Sequence, residues 1–347
     1  MAILITIIGF GIMVSLHELG HFLTAKYFGV LVHEYSIGMG PKLFSLKKGE
    51  TVYSLRILPI GGYVKLEGEN ELEENDNPRS FSNLSPIKRI IVLVSGALMN
   101  ILLGVMIFFV ININTGIIPP TVRETPEITI NNPSGEVVVS QKSFKVGDEI
   151  IKLNNTRTHT YNDVSLFMHR LKSDNLSATV RRDNEIIKLK DIDVFKTSSG
   201  YSLGLRFGSE KATILKCLQH AFYDTIYISK AVILSVYDLV TGALGIDSLS
   251  GPVEIVSTVG QVTSTRDEYT LMRILLLFAM ITVNLGVFNL LPFPALDGGS
   301  IVFALYELIT RKKVKSEIVG YAGIIGFLLL MVLALYVTIG DILALKK

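Results

Sequence analysis

The sequence predicts an α-helical multi-pass membrane protein with four transmembrane helices and one inserted soluble module. Three observations lead to that class. Of 347 residues, 49% are hydrophobic and only 18% are charged, too apolar a balance for a soluble chain of this size. Four segments are long and apolar enough to cross the roughly 30 Å hydrocarbon core of a bilayer. Between the second and third of them, residues 112–208 change to Asn, Thr, Lys and Asp with alternating Val and Ile, the composition of an independently folded domain. The net charge of +2 offers no basic surface for nucleic acid. The single cysteine, Cys217, excludes an intramolecular disulfide framework and a cysteine-based zinc cluster.

The elements follow in order. Residues 1–25 form the first span. No basic residue precedes its apolar run, unlike the n-region of a signal peptide, so it reads as a retained helix. Residues 26–89 are rich in β-branched and aromatic side chains. Thr51–Ile57 alternates behind the turn Lys47-Lys48-Gly49-Glu50, which predicts a β-hairpin, and the acidic stretch 67–77 reads as a loop. Residues 90–111 carry no charge and form the second span. In the soluble module, 136–139, 148–153 and 178–180 read as strands and 161–171 as a short helix. Residues 209–269 read as an amphipathic membrane-surface segment, because 213–244 is apolar yet carries Lys216, His220, Asp224, Lys230 and Asp238. The third span and its proline-rich end occupy 270–300, a basic loop 301–317, and the fourth span with its tail 318–347. Lys and Arg cluster in 26–89 and 311–315, which places both on the cytoplasmic side and the soluble module outside. A crossing at 213–244 would put those two loops on opposite sides.

The chemistry concentrates in His17-Glu18-Leu19-Gly20-His21. A helix brings His17 and His21, four apart, onto one face. Two imidazoles so spaced can hold zinc, with Glu18 beside them as a general base. Ionisable side chains inside a span are costly and mark function. Zinc on two histidines wants a third protein ligand and an open position. Asp297 is the candidate, at the end of a span running in the same direction as the first, after Pro292 and Pro294 have broken the helix. Asn289, in the same stretch, is suited to hydrogen-bond a substrate backbone or a developing oxyanion.

Together, HELGH in the first span and Asn289-Leu-Leu-Pro-Phe-Pro-Ala-Leu-Asp297-Gly298 in the third resemble the paired signatures of the site-2 proteases, intramembrane zinc metalloproteases, and of their RseP-type branch in particular. The resemblance covers nearly the whole chain, including Gly38-Met39-Gly40, Gly61-Gly62-Tyr63-Val64 and Ser250-Gly251-Pro252-Val253. It implies Zn2+ held by His17, His21 and Asp297, with Glu18 as catalytic base. It implies membrane-associated β-hairpins over 31–66 that offer a strand edge to substrate, with Gly38, Gly40, Gly61, Gly62 and Asn289 as substrate-binding positions. It also implies that 112–208 is a single extracytoplasmic PDZ-like α+β domain, with Gly147-Asp148-Glu149-Ile150 and Leu153-Asn154-Asn155 in its motif. Ser300 and Ala97 depart from the usual histidine and proline of the branch. The implied partners are single-pass membrane proteins, such as anti-sigma factors or signal-peptide remnants, within the bacterial cytoplasmic membrane. The competing readings are a metal-ion transporter and a proteolytically silent relative that binds membrane proteins.

Overall fold

The computed structural model describes residues 1–69, 77–132, 135–197 and 200–344. The acidic stretch expected as a loop lies mostly outside them. The chain divides into two units, one of 1–107 with 232–347 and one of 108–231. Among the described residues, four helices are long and apolar enough to cross a membrane: 2–27, 86–115, 270–289 and 317–344.

In the first unit, helix α1 (Ala2–Tyr27) is followed by strands β1 (Val32–Lys48) and β2 (Thr51–Leu66), and then by α2 (Pro86–Thr115). The hairpin is longer than the alternation of 51–57 predicts, and it folds back on itself. Residues 42–48 pair with 51–56 across the Gly49 turn, and 32–37 pair with 62–66. Glu34–Ile37 also pair in ascending register with Val52–Leu55. Four segments therefore lie side by side in the order 42–48, 51–56, 32–37, 62–66, and the segments 42–48 and 62–66 form the two edges. Gly38, Gly40 and Gly61 make the bends with φ of +84, +84 and +81°, a backbone region that excludes most side chains. The sheet is fastened to α1. Phe22 packs against Tyr35 and Tyr53, with ring centroids 5.2 and 5.8 Å away, and Tyr35 donates its hydroxyl to Ser15 O at 2.9 Å. Buried Ala25, Val30, Val32, Val64 and Leu66 complete that core.

Two helices in this unit correct the sequence reading. Residues 209–269 are not one surface segment, because α5 (Pro252–Ser264) forms within them, after α4 (Ile214–Val240), and packs on α1, α6 (Thr270–Asn289) and α8 (Ser316–Ala344). Pro252 supplies the first helical position. Buried Asp341 of α8 (Ser316–Ala344) then accepts the N–H groups of Gly251, Val253 and Glu254 at 3.0–3.2 Å. A cap lent from 90 residues away leaves no local sequence signal. Likewise 301–317 is not a loop. After α6 (Thr270–Asn289) and the Pro292–Pro294 break, the chain restarts as α7 (Asp297–Thr310), and only 311–315 connects it to α8. Its start is tight: a Cβ on Gly298 would lie 2.0 Å from Leu291 O, and one on Gly299 2.5 Å from Phe293 O. Asp297 occupies the first turn, where a negative charge suits the helix N-terminus.

The second unit holds the inserted module. Strands β3 (Val122–Glu124), β4 (Glu127–Asn132), β5 (Gly135–Ser140), β6 (Glu149–Leu153) and β7 (Thr156–Arg157) precede α3 (Tyr161–Arg170). They are followed by β8 (Ala178–Arg182), β9 (Glu185–Leu189), β10 (Phe195–Thr197), β11 (Gly200–Ser202) and β12 (Arg206–Phe207). A four-stranded sheet runs β7-β6-β8-β9, and the other strands pair as β4–β5, β10–β11 and β12–β3. The helix is fixed by a reciprocal cap between Thr160 and Asp163. The core gathers Val122, Ile150, Leu153, Leu176 and Val180, all fully buried. Buried Asp148 is clamped by Arg182 through two hydrogen bonds of 2.7 and 2.8 Å. Ile117 and Glu210 exchange both backbone hydrogen bonds, 3.0 and 2.9 Å, so the two ends of the module meet at its base. The polar side chains of α4 divide, with Lys216, Gln219 and Lys230 exposed. His220 and Asp224 are buried, and Asn112 of α2 donates to Asp224 at 3.3 Å, while Leu215, Leu218, Phe222 and Ile226 are exposed.

Candidate metal centre

One helical turn of α1 sets the centre. His17 and His21 are 7 and 8% exposed, with ring centroids 4.7 Å apart and edge to face. Their Nε2 atoms approach to 3.1 Å. Asp297, brought in at the start of α7, places Oδ2 3.2 Å from the first and 3.4 Å from the second. Asp297 Oδ2 is buried with no hydrogen bond of its own, so the triangle of atoms is aimed at something other than protein. The spacing fits zinc: a tetrahedral ion with bonds of about 2.1 Å holds its ligand atoms about 3.4 Å apart. Among the described residues this is the one group of His, Cys, Asp and Glu that can converge on an ion.

Helix α2 forms the wall behind the histidines. Its backbone crosses α1 so closely that a Cβ on Gly20 would lie 2.3 Å from Ser95 O. A Cβ on Gly96 would lie 2.3 Å from His21 Nε2 and 2.9 Å from His17 Cε1. The two glycines therefore make room for the imidazole pair. Val92 O meets His21 Nδ1 at 2.9 Å, and Asn100 Nδ2 lies 3.5 Å from His17 Nδ1. Positions 92, 96 and 100 share one helix face. Sequence reasoning about the site passed over Val92 and Gly96, because an apolar residue and a glycine within a span carry no ligand pattern. Their four-residue spacing was the available signal.

The remaining candidates divide. Asn289, the last residue of α6, points Nδ2 at His17 Nε2 from 3.4 Å. Glu18 Oε2 accepts the Val64 N–H at 3.1 Å, and a Cβ on Gly62 would stand 3.7 Å from Glu18 Cγ. Gly62 thus belongs beside Glu18. Gly38, Gly40 and Gly61 instead occupy the bends of the sheet. A cavity of about 930 Å³ reaches Asp297 past Glu69, Ser300, Phe303 and the buried Arg89–Glu307 ion pair. On the sheet, burial pushes Glu34 upward. Hydrogen bonds from Ser54, Arg56 and Lys42 outweigh it and hold the carboxyl at about 2.

Two imidazoles and a carboxylate thus converge among helices of membrane-spanning length, with a glutamate alongside. Comparison with known proteins gives the assignment. Residues 5–333 match the model of peptidase family M50, and the chain belongs to that family. A protein of Clostridium acetobutylicum bearing a zinc metalloprotease name is 38% identical over 98% of this chain and 97% of its own. The zinc metalloprotease RasP of Geobacillus kaustophilus is 29% identical over 97% of this chain and 96% of its own. The regulator of sigma-W protease RasP of Bacillus subtilis is 28% identical over 97% of both. The protein is a zinc metallopeptidase.

Proposed function

We propose that the protein is a site-2-type intramembrane protease of the RseP-type branch, which hydrolyses peptide bonds within the transmembrane segments of single-pass membrane proteins. The observation that carries this reading is the convergence of His17, His21 and Asp297 within helices of membrane-spanning length, with Glu18 against a sheet edge. His17 Nε2, His21 Nε2 and Asp297 Oδ2 would hold the zinc. When bound, zinc supplies a Lewis acid that brings the pKa of water toward about 7 and polarises the scissile carbonyl. Glu18 takes the proton of the attacking water and passes it to the leaving amine nitrogen. Asn289, with its amide directed into the triangle, donates to the oxygen on which charge develops.

A helical substrate hides its peptide bonds in its own hydrogen bonds and must be extended first. Segment 62–66 is a sheet edge and already gives a backbone N–H to Glu18. A substrate strand added along it would be held extended beside the base, as in β-augmentation. Residues 112–208 are a PDZ-like domain on the extracytoplasmic side, and it restricts entry to substrates without bulky outer domains. The substrate class fits anti-sigma factors and signal-peptide remnants, and the name of the Bacillus subtilis relative points to the former.

The test is cleavage in liposomes of a tagged single-pass substrate, with the cut located by mass spectrometry. The expected result is a cut inside the hydrophobic segment by wild type and none by Glu18→Gln. A cut confined to the water-exposed flanks would overturn the intramembrane reading.

A further inference from the structure

Asn100 is completely buried in α2. Its Oδ1 has no hydrogen-bond partner, while its Nδ2 lies 3.5 Å from His17 Nδ1. Helix α6 backs closely onto α2 here: a Cβ on Gly286 would stand 3.3 Å from Asn100 Cβ, and Thr282 donates to the backbone carbonyl of Asn100 at 3.3 Å. A solitary polar side chain enclosed by apolar helices is costly unless it meets a partner.

That partner follows from the ring chemistry of His17. Its Nε2 faces His21 Nε2 and Asp297 Oδ2. An imidazole that offers the Nε2 lone pair to a metal carries its proton on Nδ1, which must then donate. Among the described residues, Asn100 holds the polar atoms within reach of Nδ1. A half-turn of the amide about χ2 exchanges Nδ2 and Oδ1 at no cost in volume. It puts the orphan acceptor on the proton that needs one. His21 repeats the pattern, with its Nδ1 2.9 Å from the Val92 carbonyl two helical turns earlier.

We propose that Asn100 is the positioning residue for His17: its Oδ1 accepts the Nδ1–H, fixes the tautomer and ring plane, and presents Nε2 to the metal. Helix α2 contributes no ligand and yet orients both imidazoles, one through a backbone carbonyl and one through this amide. The inference rests on the proposed ligand role of His17.

The experiment is a zinc competition titration against a chromophoric chelator, on the full chain in detergent. Wild type is compared with Asn100→Leu, Asn100→Asp and His17→Ala, with melting of each apoprotein as the fold control. Asn100→Leu keeps the shape and removes the acceptor. It is expected to weaken zinc binding by roughly 10–100-fold with apoprotein melting close to wild type. Asn100→Asp retains an acceptor and is expected to bind zinc near the wild-type level. Wild-type zinc affinity in Asn100→Leu, or an equal loss in Asn100→Asp, overturns the proposal. If instead His17→Ala leaves zinc binding intact, it is the ligand assignment that falls. Should Asn100→Leu not fold, 15N NMR of histidine-labelled, zinc-loaded wild type decides. A protonated, hydrogen-bonded Nδ1 on His17 is expected, and an unprotonated one refutes the assignment.

Discussion

At the scale of single residues, the centre depends as much on atoms that are missing as on its ligands. Gly96 makes the point: an ordinary Cβ there would stand 2.3 Å from His21 Nε2. In a helix interior, Gly→Ala stabilises by about 0.5–1 kcal/mol, so Gly96→Ala is expected to leave the helix intact and yet displace the imidazole. Zinc retained per chain should fall at least tenfold in a chelator challenge while the circular dichroism spectrum is unchanged; an alanine variant that holds zinc normally would show that the histidines do not need this approach. His17, Glu18, His21, Asp297 and Asn289 could be read in the sequence because each belongs to a spaced pattern of chemically distinctive side chains. The contributions of Val92 and Gly96 could not, since a carbonyl and an absent methyl have no letter of their own.

At the scale of elements, the sheet of β1 and β2 presents the edge beside Glu18, and Glu34 is its internal brace. The Glu34 carboxyl accepts from Ser54 at 2.5 Å and Arg56 at 3.0 Å. These bonds place its folded value at about 2, below the ordinary 4.5. The stabilisation is therefore fully present above about 4.5 and is lost as pH falls through the folded value. Backbone amides of 32–37 and 51–56 are expected to exchange faster with deuterium at pH 3 than at pH 6, after correction for intrinsic rates. In Glu34→Gln that extra acid sensitivity should disappear. An identical pH response in both proteins would remove Glu34 from the account. The hairpin turn at Gly49 was legible from its residues, but the fold of the strands back onto themselves depends on pairing between 34–37 and 52–55, a long-range register that local alternation does not encode. Helices α5 and α7 escaped for the same kind of reason. One is capped by Asp341 from α8, and the other restarts within a few residues of two prolines.

At the scale of the whole molecule, four membrane-length helices were legible in hydropathy alone, because a bilayer imposes its thickness on the sequence, and the strand-rich insert between the second and third stood out by its polar composition. The insert closes on itself through Ile117 and Glu210, so it can be tested as a part. Leu153 is fully buried in its core. Leu153→Ala should destabilise the module by about 2–5 kcal/mol, seen as faster proteolysis within 118–209, without loss of zinc. Replacing 118–209 by a short Gly-Ser linker should leave cleavage of a substrate with a small outer domain intact and admit substrates with large ones. Unchanged discrimination between the two would contradict the gating role. Zinc-dependent catalysis by Glu18 is tested most simply by measuring zinc content and substrate cleavage on the same preparations of wild type, Glu18→Gln and Asp297→Ala. One zinc per chain with cleavage is expected in wild type, zinc without cleavage in Glu18→Gln, and weakened zinc with no cleavage in Asp297→Ala. Full zinc and full cleavage in either variant would contradict it.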